Sequence, residues 1–211
     1  MGLKSWYERT IMPKLITCAC SQGQVMKRRA AVVPQARGDV FELGCGGGIN
    51  QEFYEAGAMT SYAGVDPHEG LLGTARDAAK ARGLSADFRV GVGENIPFDD
   101  ASFDTCVCTF TLCSVQDPKR VLSELRRILR PGGKALFLEH GRAPDAKVAK
   151  WQDRIEPIWK PMAGGCHLTR AITSAVDASG FEVEPLGEGY TPGAPKFAGW
   201  MEWGVARKVG A

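Results

Sequence analysis

The chain has 211 residues, of which 44% are hydrophobic and 24% are charged, and its formal net charge is +2. This length and composition are typical of one globular domain, with room for at most a small appendage. A net charge so close to zero argues against a protein that binds nucleic acid or anionic lipid. No apolar run reaches the roughly 18 residues that a membrane-spanning helix needs.

Seven cysteines follow an N-terminus that lacks the apolar segment of a signal peptide. This combination predicts reduced thiols in the cytoplasm. The pairs Cys18-x-Cys20 and Cys106-x-Cys108 are too closely spaced for paired zinc ligands. We therefore expect no metal, and we interpret Cys106 and Cys108 as small buried hydrophobes on one face of a strand.

The hydrophobic pattern predicts strands that alternate with helices. Residues 1–35 are predicted to be helical, with a break at Pro13. The elements predicted next are a strand at 39–43, a helix at 49–56, a strand at 61–66, a helix at 71–82, strands at 86–92 and 103–110, a helix at 119–130 and a strand at 134–140. Such alternation indicates βαβ units and a parallel sheet covered by helices on both faces.

The pattern changes after Gly141. Helices at 147–161 and 170–179 are followed by candidate strands at 181–186 and 200–209, with the turn-rich segment 188–196 between those strands. The whole chain therefore predicts an α/β fold, a Rossmann-like doubly wound sheet of seven mostly parallel strands.

The segment FELGCGGG at 41–48 places a glycine-rich loop between a strand and a helix. Such a loop lets backbone N–H groups face a ligand, although a tight turn without a ligand would also use glycine. Asp66 ends the next strand about 20 residues later, where a carboxylate can hold the two hydroxyls of a ribose. Its alternative role is the N-cap of a helix that starts at Pro67.

Three further polar residues could serve the same site. Glu94 and Asn95 follow the third strand at the carboxyl edge of the sheet, although a solvated turn explains them equally well. Glu42 precedes the glycine loop, where it could attract a cationic group or simply be a paired acid. Because no glycine or alanine follows at the last position of a dinucleotide fingerprint, the ligand should be smaller than a dinucleotide yet carry a ribose.

Four motifs between residues 36 and 140 resemble those of the class I S-adenosylmethionine-dependent methyltransferases: ELGCGGG, GVDP, GENIPF and LRPGGKALFLEH. The run VCTFTLCSVQDPKRVLSELRRILRPGG and the distal GGCHLTR are also similar to the thiol S-methyltransferase family of animals, and the quinone and phospholipid methyltransferases are related. The resemblance implies that the last strand, around Trp203–Lys208, inserts antiparallel beside the fifth.

The resemblance also implies the cofactor S-adenosyl-L-methionine, the product S-adenosyl-L-homocysteine and a set of contacts. Glu42 would face the cofactor's ammonium group, Asp66 its ribose, and Asn95 its adenine. The implied cofactor-binding residues are Glu42, Gly44, Cys45, Gly46, Gly48, Asp66, Pro67, Gly93, Glu94, Asn95 and Thr109.

On the substrate side, Cys113 and His140 are the candidate catalytic residues, and Tyr7, His167 and Arg170 are the candidate substrate contacts. A thiol acceptor has a pKa of about 8.5 or above, so a nearby base or cation would help to ionise it. The alternatives are structural: Cys113 as a core residue, His140 bonded to backbone, and the Cys166–His167 segment packed at a helix start with Thr169 as N-cap.

The predicted organisation is a helical lid at 1–35 and a methyltransferase domain at 36–211. An equally simple interpretation of the first segment is a helix packed on the sheet. Animal thiol methyltransferases carry a hydrophobic anchor before this region, and only four residues precede Ser5 here. We therefore expect a soluble, cytoplasmic protein that is at most peripheral on a membrane.

These observations predict methylation of a small molecule, with a thiol as the leading acceptor. The alternatives are a quinone precursor or a phospholipid amine, and, in a different class, a cofactor-binding scaffold without catalysis. Arsenite methylation would require Cys45, Cys113 and Cys166 to converge. We expect no nucleic-acid partner and no integral membrane segment, and the sequence leaves the oligomeric state open.

Overall fold

A computed structural model describes residues 20–210, which contain a single seven-stranded sheet. The strands are β1 (Gly38–Leu43), β2 (Met59–Asp66), β3 (Ala86–Val90), β4 (Phe103–Thr109), β5 (Leu129–His140), β6 (Phe181–Tyr190) and β7 (Trp200–Lys208). The strand order is β3-β2-β1-β4-β5-β7-β6. The first five strands are parallel, and β7 lies antiparallel between β5 and β6. The predicted fold class and the antiparallel last strand are confirmed.

Helices connect and cover the strands. They are α1 (Gly23–Val32), α2 (Glu69–Ala81), α3 (Pro118–Ile128), α4 (Ala146–Met162), α5 (Ile172–Ala178) and α6 (Lys196–Gly199), with short 3-10 helices at Val33–Gln35, Ile49–Phe53 and Ala56–Ala58. Among residues 20–210, no helix combines the length and the apolar character needed to cross a membrane.

The sheet separates two hydrophobic cores because successive side chains of a strand point to opposite faces. In β4, Cys106 and Cys108 pack into one core with Leu125 and Val176, while Val107 packs into the other with Leu72. The first core therefore lies under α3 and α5, and the second lies under α1 and α2. Both cysteines are less than 2% exposed, as expected for small hydrophobes.

Several predicted boundaries are wrong. The segment 49–56 forms two short 3-10 helices in place of an α-helix. β5 begins directly at Leu129, so Pro131-Gly132-Gly133 lies inside the strand, beside an irregularity in its pairing with β4. β6 continues to Tyr190 through part of the expected turn-rich segment.

Two predicted helix caps are also wrong. His68 stands at the N-cap of α2, and Ala171 stands at that of α5. Asp66 and Thr169 therefore have other roles. The part of the predicted lid that contains Tyr7 and Pro13 lies outside the described residues.

Candidate active site

The carboxyl ends of β1, β2, β4 and β5 border one cavity of about 490 Å³. β1 and β4 are neighbours in the sheet although β2 and β3 intervene in the chain, so the strand order reverses between them. Open α/β sheets bind ligands at this reversal, outside the carboxyl ends of the strands. The cavity is therefore where the topology alone would place a site.

The glycine loop after β1 combines a strained turn with an open wall. Gly44, Gly46 and Gly48 all have positive φ, at +68°, +50° and +84°. A Cβ on Gly44 would lie 2.2 Å from Thr111 Oγ1, whereas a Cβ on Gly46 would meet nothing closer than 4.0 Å. Gly44 is thus required for packing, while Gly46 leaves bare backbone at the cavity wall.

Gly48, a predicted cofactor contact, does not border the cavity, whereas its neighbour Gly47 does. A Cβ on Gly48 would lie 2.7 Å from the side-chain Nε2 of Gln51. Gly48 therefore shapes the start of the following 3-10 helix.

Asp66 ends β2 beside this loop and borders the cavity with Pro67 and His68. Its carboxylate accepts the backbone N–H of Gly46 at 3.0 Å and that of His68 at 2.9 Å. Burial raises the pKa of Asp66, and these hydrogen bonds oppose that rise. Each oxygen can still accept a second hydrogen bond, so the group is suited to a pair of hydroxyls.

Glu42 is buried below the loop and is already well bonded. Its carboxylate accepts hydrogen bonds from Asn50 Nδ2 at 2.9 Å, from the Tyr54 hydroxyl at 2.8 Å and from the Tyr62 hydroxyl. Burial nevertheless raises the pKa of Glu42. The side chain also borders the cavity. Glu42 is therefore both an acid paired within the protein and an acid that a ligand in the cavity can reach.

Arg29 of α1 completes this network, and the sequence analysis did not identify it. The side chain is 3% exposed. It donates to Thr109 Oγ1 at 2.7 Å and to Asn50 Oδ1, and its guanidinium lies 5.0 Å from the centre of the Phe110 ring. An arginine on a polar helix gives no sequence signal of such burial. Thr109, which borders the cavity as predicted, receives its hydrogen bonds from Arg29 and Asn50.

At the other end of the cavity, Cys113, His140 and Cys166 form what we call the Cys-His-Cys cluster. One ligand-type atom from each residue lies within 4.8 Å of the other two. Cys166 Sγ is 3.8 Å from His140 Nδ1, and the His140 ring meets Phe110 edge-on at 5.1 Å. All three residues border the cavity. The two catalytic candidates are thus brought together, with Cys166 as a partner that the sequence analysis had assigned to packing.

The two thiols of the cluster differ in character. A hydrogen bond from Cys113 and the proximity of His140 lower the pKa of Cys166, against the opposing effect of burial. The same sulfur–sulfur contact and burial raise the pKa of Cys113. Cys166 is therefore the sulfur that this environment favours as a thiolate.

Glu139 fixes the position of Cys113. Its fully buried carboxylate accepts the backbone N–H groups of Thr111, Leu112 and Cys113 at 2.9, 3.0 and 3.1 Å. Three such bonds hold the loop after β4 in one conformation. Phe110, in the same loop, adopts φ +56°, an uncommon conformation for a residue other than glycine.

Comparisons with known proteins agree with this arrangement. A family model described as "Methyltransferase domain" matches residues 41–137. Thiol S-methyltransferase TMT1B of Rattus norvegicus is 40% identical over 145 residues, which cover 67% of this chain and 59% of the rat protein. Thiol S-methyltransferase TMT1A of Homo sapiens is 36% identical over 195 residues, which cover 86% of this chain and 79% of the human protein. The chain belongs to the S-adenosylmethionine-dependent methyltransferases.

A solved structure of this family shows the same fold. The S-adenosylmethionine-dependent methyltransferase of Methanosarcina mazei superposes with a TM-score of 0.67 at 23% identity, over 83% of this chain and 94% of that one. The matched part covers less than two thirds of the length of the TMT1B proteins of rat and human. Family membership implies S-adenosylmethionine as the cofactor.

Besides Gly48, three predicted cofactor contacts do not border the cavity of this methyltransferase. Glu94 accepts the backbone N–H groups of Gln116 and Asp117 at 2.9 and 3.1 Å. The backbone N–H of Asn95 donates to Val92 O at 3.2 Å, so that N–H is occupied. A Cβ on Gly93 would lie 3.0 Å from Leu43 and 3.1 Å from Val121. In this structure the three residues stabilise the segment after β3 and its contacts with the start of α3.

Two of the predicted substrate contacts of the methyltransferase also lie away from the cavity wall. His167 pairs with Glu156 at 2.7 Å. Arg170 donates to Val115 O at 2.6 Å and to Leu112 O, so it holds the loop that carries Cys113. Tyr7 lies outside the described residues.

Cys45, a predicted cofactor contact, borders the cavity. It packs in the core under α1 and α2, and burial raises its pKa. It is not part of the Cys-His-Cys cluster, so the three thiols that arsenite methylation would require do not converge.

Proposed function

We propose that this methyltransferase transfers a methyl group to a small-molecule thiol. The observation that carries the proposal is the continuity of the cavity. One end has the bare backbone of Gly46 and the carboxylate of Asp66, and the other has Cys166 and His140 between aromatic walls. Relatives named as thiol S-methyltransferases support the same acceptor.

The residues at the loop end fit the cofactor. The space beside Gly46, where a Cβ would meet nothing closer than 4.0 Å, admits a ligand against the backbone. Asp66 would hold the ribose hydroxyls, and the acidic Glu42 would favour the ammonium group. When bound, S-adenosylmethionine supplies a methyl group on a positively charged sulfur, which is a good leaving group.

The residues at the other end fit a thiol. At neutral pH only a minority of an alkyl thiol is ionised. The imidazole of His140 can accept a proton or polarise a sulfur that lies beside it. Phe110 and Trp159 line the same end, so an apolar substituent would be held there away from water and in line for transfer.

The size of the cavity favours a small acceptor over a lipid. About 490 Å³ lies within the range of about 300–1,000 Å³ that holds one drug-sized ligand. A cavity that must also take a nucleoside cofactor leaves space for a short alkyl group. A phospholipid amine or a quinone precursor with a long tail would have to extend outside it.

The first test is calorimetric titration with S-adenosylhomocysteine, with NAD as the control ligand. We expect micromolar binding of the first and no binding of the second. An acceptor assay then compares a small alkyl thiol with the corresponding alcohol, a quinone precursor and phosphatidylethanolamine vesicles, and we expect methylation of the thiol alone.

Two variants connect the assay to the site. His140→Ala should lower thiol turnover at least tenfold with little change in the affinity for S-adenosylhomocysteine. His167→Ala removes an imidazole outside the cavity and should keep turnover near the wild-type value. If the cofactor binds and only the quinone or the lipid is methylated, the thiol proposal is wrong and the cofactor assignment stands.

A further inference from the structure

Five of the six cysteines that the structure describes fall into two groups. The sixth, Cys20, is partly buried and borders the cavity, but it is not part of the Cys-His-Cys cluster. Cys45, Cys106 and Cys108 pack inside the two hydrophobic cores, as small apolar side chains do. Cys113 and Cys166 are just as buried, at 1% and 6% exposure. However, they belong to none of the hydrophobic clusters formed by the described residues, and they border the cavity. Core packing therefore does not account for their positions.

The three residues of the Cys-His-Cys cluster come from separate parts of the fold. Cys113 follows β4, His140 ends β5, and Cys166 lies between α4 and α5. A backbone hydrogen bond of 2.7 Å from His167 N to Cys113 O ties the two cysteine segments together. Since Glu139 also holds Cys113, the cluster is assembled before any ligand arrives.

We propose that Cys113, His140 and Cys166 bind one Zn²⁺ ion, and that its fourth coordination position faces the cavity and takes the sulfur of the acceptor thiol. Two thiolates and an imidazole form a ligand set that zinc uses in catalytic sites, where the fourth position stays open. The role of the ion toward the acceptor rests on the proposed function, whereas binding of the ion does not.

The distances are close to those of a zinc site. Bonds of about 2.3 Å to sulfur and about 2.0–2.1 Å to nitrogen place neighbouring ligand atoms of a tetrahedron about 3.6–3.8 Å apart. The Cys166 Sγ–His140 Nδ1 distance is already 3.8 Å, and no distance within the cluster exceeds 4.8 Å. Side-chain movements of about 1 Å or less would complete the site.

Charge balance favours the ion in this partly apolar pocket. Two thiolates neutralise Zn²⁺, so the ion and its three protein ligands carry no net charge before the acceptor binds. The indole N–H of Trp159 lies beside Cys166 and borders the same cavity, so it can donate to a metal-bound thiolate. Such donors around the ligands are typical of metal sites.

With His140 bound to the ion, the ion takes over from the free imidazole the task of ionising the acceptor, and no separate base is needed. On coordination, the S–H bond of the acceptor breaks, its proton passes to water, and the sulfur keeps the electron pair as a metal-bound thiolate. The other three ligands hold that sulfur at the cavity wall. The chain would thus convert a weakly acidic thiol into a positioned nucleophile at neutral pH.

The test uses the full chain, purified under reducing conditions and stripped of metal with a chelator. We expect titration with Zn²⁺ to show one ion per chain, and titration with Mg²⁺ to show none. Cys113→Ala, His140→Ala and Cys166→Ala should each weaken zinc binding at least tenfold. Cys45→Ala removes a thiol from the same cavity but outside the cluster and should bind zinc like the wild type. Circular dichroism establishes that each variant is folded.

Cobalt gives a second readout that needs no variant. Co²⁺ bound by the wild type should show a thiolate-to-metal charge-transfer band, and an alkyl thiol should change that spectrum without any cofactor present. Wild-type protein that binds no Zn²⁺, or a folded Cys166→Ala variant that binds it normally, would overturn the proposal. A disulfide between Cys113 and Cys166 under these conditions, detected as the loss of two titratable thiols, would overturn it as well.

The outcomes separate the two proposals. If Zn²⁺ binds at the cluster and no thiol is methylated, the metal site stands and the proposed acceptor is wrong. If thiols are methylated at the same rate by metal-free and zinc-loaded protein, the acceptor stands and the role of the ion is wrong.

Discussion

Asp66 is the residue on which the proposed cofactor site depends most directly. It ends β2, accepts the N–H of Gly46 from the glycine loop, and borders the cavity. The sequence predicted that this acid ends the second strand, and a carboxylate there has a position fixed by the fold. Its contact with a ribose stays a prediction. The sequence did not show that the carboxylate also anchors the loop.

We expect Asp66→Ala to weaken the binding of S-adenosylhomocysteine by about 5- to 150-fold, the equivalent of the roughly 1–3 kcal/mol of a lost charged hydrogen bond. Calorimetry measures the change. Asp77→Ala, which removes an exposed acid from α2, is the matched control and should bind normally. Unchanged affinity in Asp66→Ala would remove this residue from the ribose site.

The glycine loop after β1 connects the sheet to the cavity. Its glycines adopt left-handed conformations that side chains disfavour, and its turn delivers both Gly46 and Cys45 to the cavity. The expectation of a regular helix after it was wrong. Gly48 acts as the N-cap of a five-residue 3-10 helix, and local hydrophobic periodicity cannot distinguish so short an element from an α-helix.

Two glycine substitutions distinguish a position where the backbone conformation requires glycine from one where a side chain fits. Gly44→Ala should lower the free energy of unfolding by at least about 1–2 kcal/mol, because φ is +68° and a Cβ would collide with Thr111. Gly73→Ala lies inside α2, where a Cβ meets nothing within 4 Å, and should raise the free energy of unfolding by about 0.5–1 kcal/mol. Urea unfolding measures both, and equal effects would contradict the assigned role of Gly44.

On the scale of the whole molecule, the sheet buries two acids at its carboxyl edge. Glu42 and Glu139 are 2% and 0% exposed, and burial raises the pKa of each. Such a group takes up a proton on folding when the pH lies between its unfolded and folded pKa values. The free energy of unfolding should therefore depend on pH through these two acids.

The variant Glu42→Gln tests the contribution of Glu42 to this pH dependence. A raised folded pKa gives stability that is fully present below the unfolded pKa and is lost as the pH rises through the folded pKa. The free energy of unfolding of the wild type, minus that of Glu42→Gln, should therefore fall as the pH rises from about 4.5, the ordinary value for this group, and then level off. Urea unfolding at a series of pH values measures the difference. A difference that rises with pH would show that Arg29 and the three hydrogen-bond donors outweigh burial.

The sequence by itself determined the fold and predicted several of the residues that border the cavity. Apolar strands such as Phe103–Thr109, the glycine loop and the acid that ends β2 are local patterns, and the topology of a parallel sheet brings the ends of its strands together without further information. Gly44, Gly46, Asp66 and Thr109 were predicted for this reason, and all four border the cavity. Their contacts with the cofactor stay predictions.

Only the tertiary structure decided the remainder. Arg29 borders the cavity because α1 packs on one face of the sheet and brings this side chain to Thr109 at the end of β4. Cys113, His140 and Cys166 meet although 26 residues separate His140 from Cys166. Ligand spacing along the chain predicts a metal site only when one short segment supplies the ligands. The residues of the Cys-His-Cys cluster come from three segments, and their convergence depends on the packing of β4, β5 and the loop before α5.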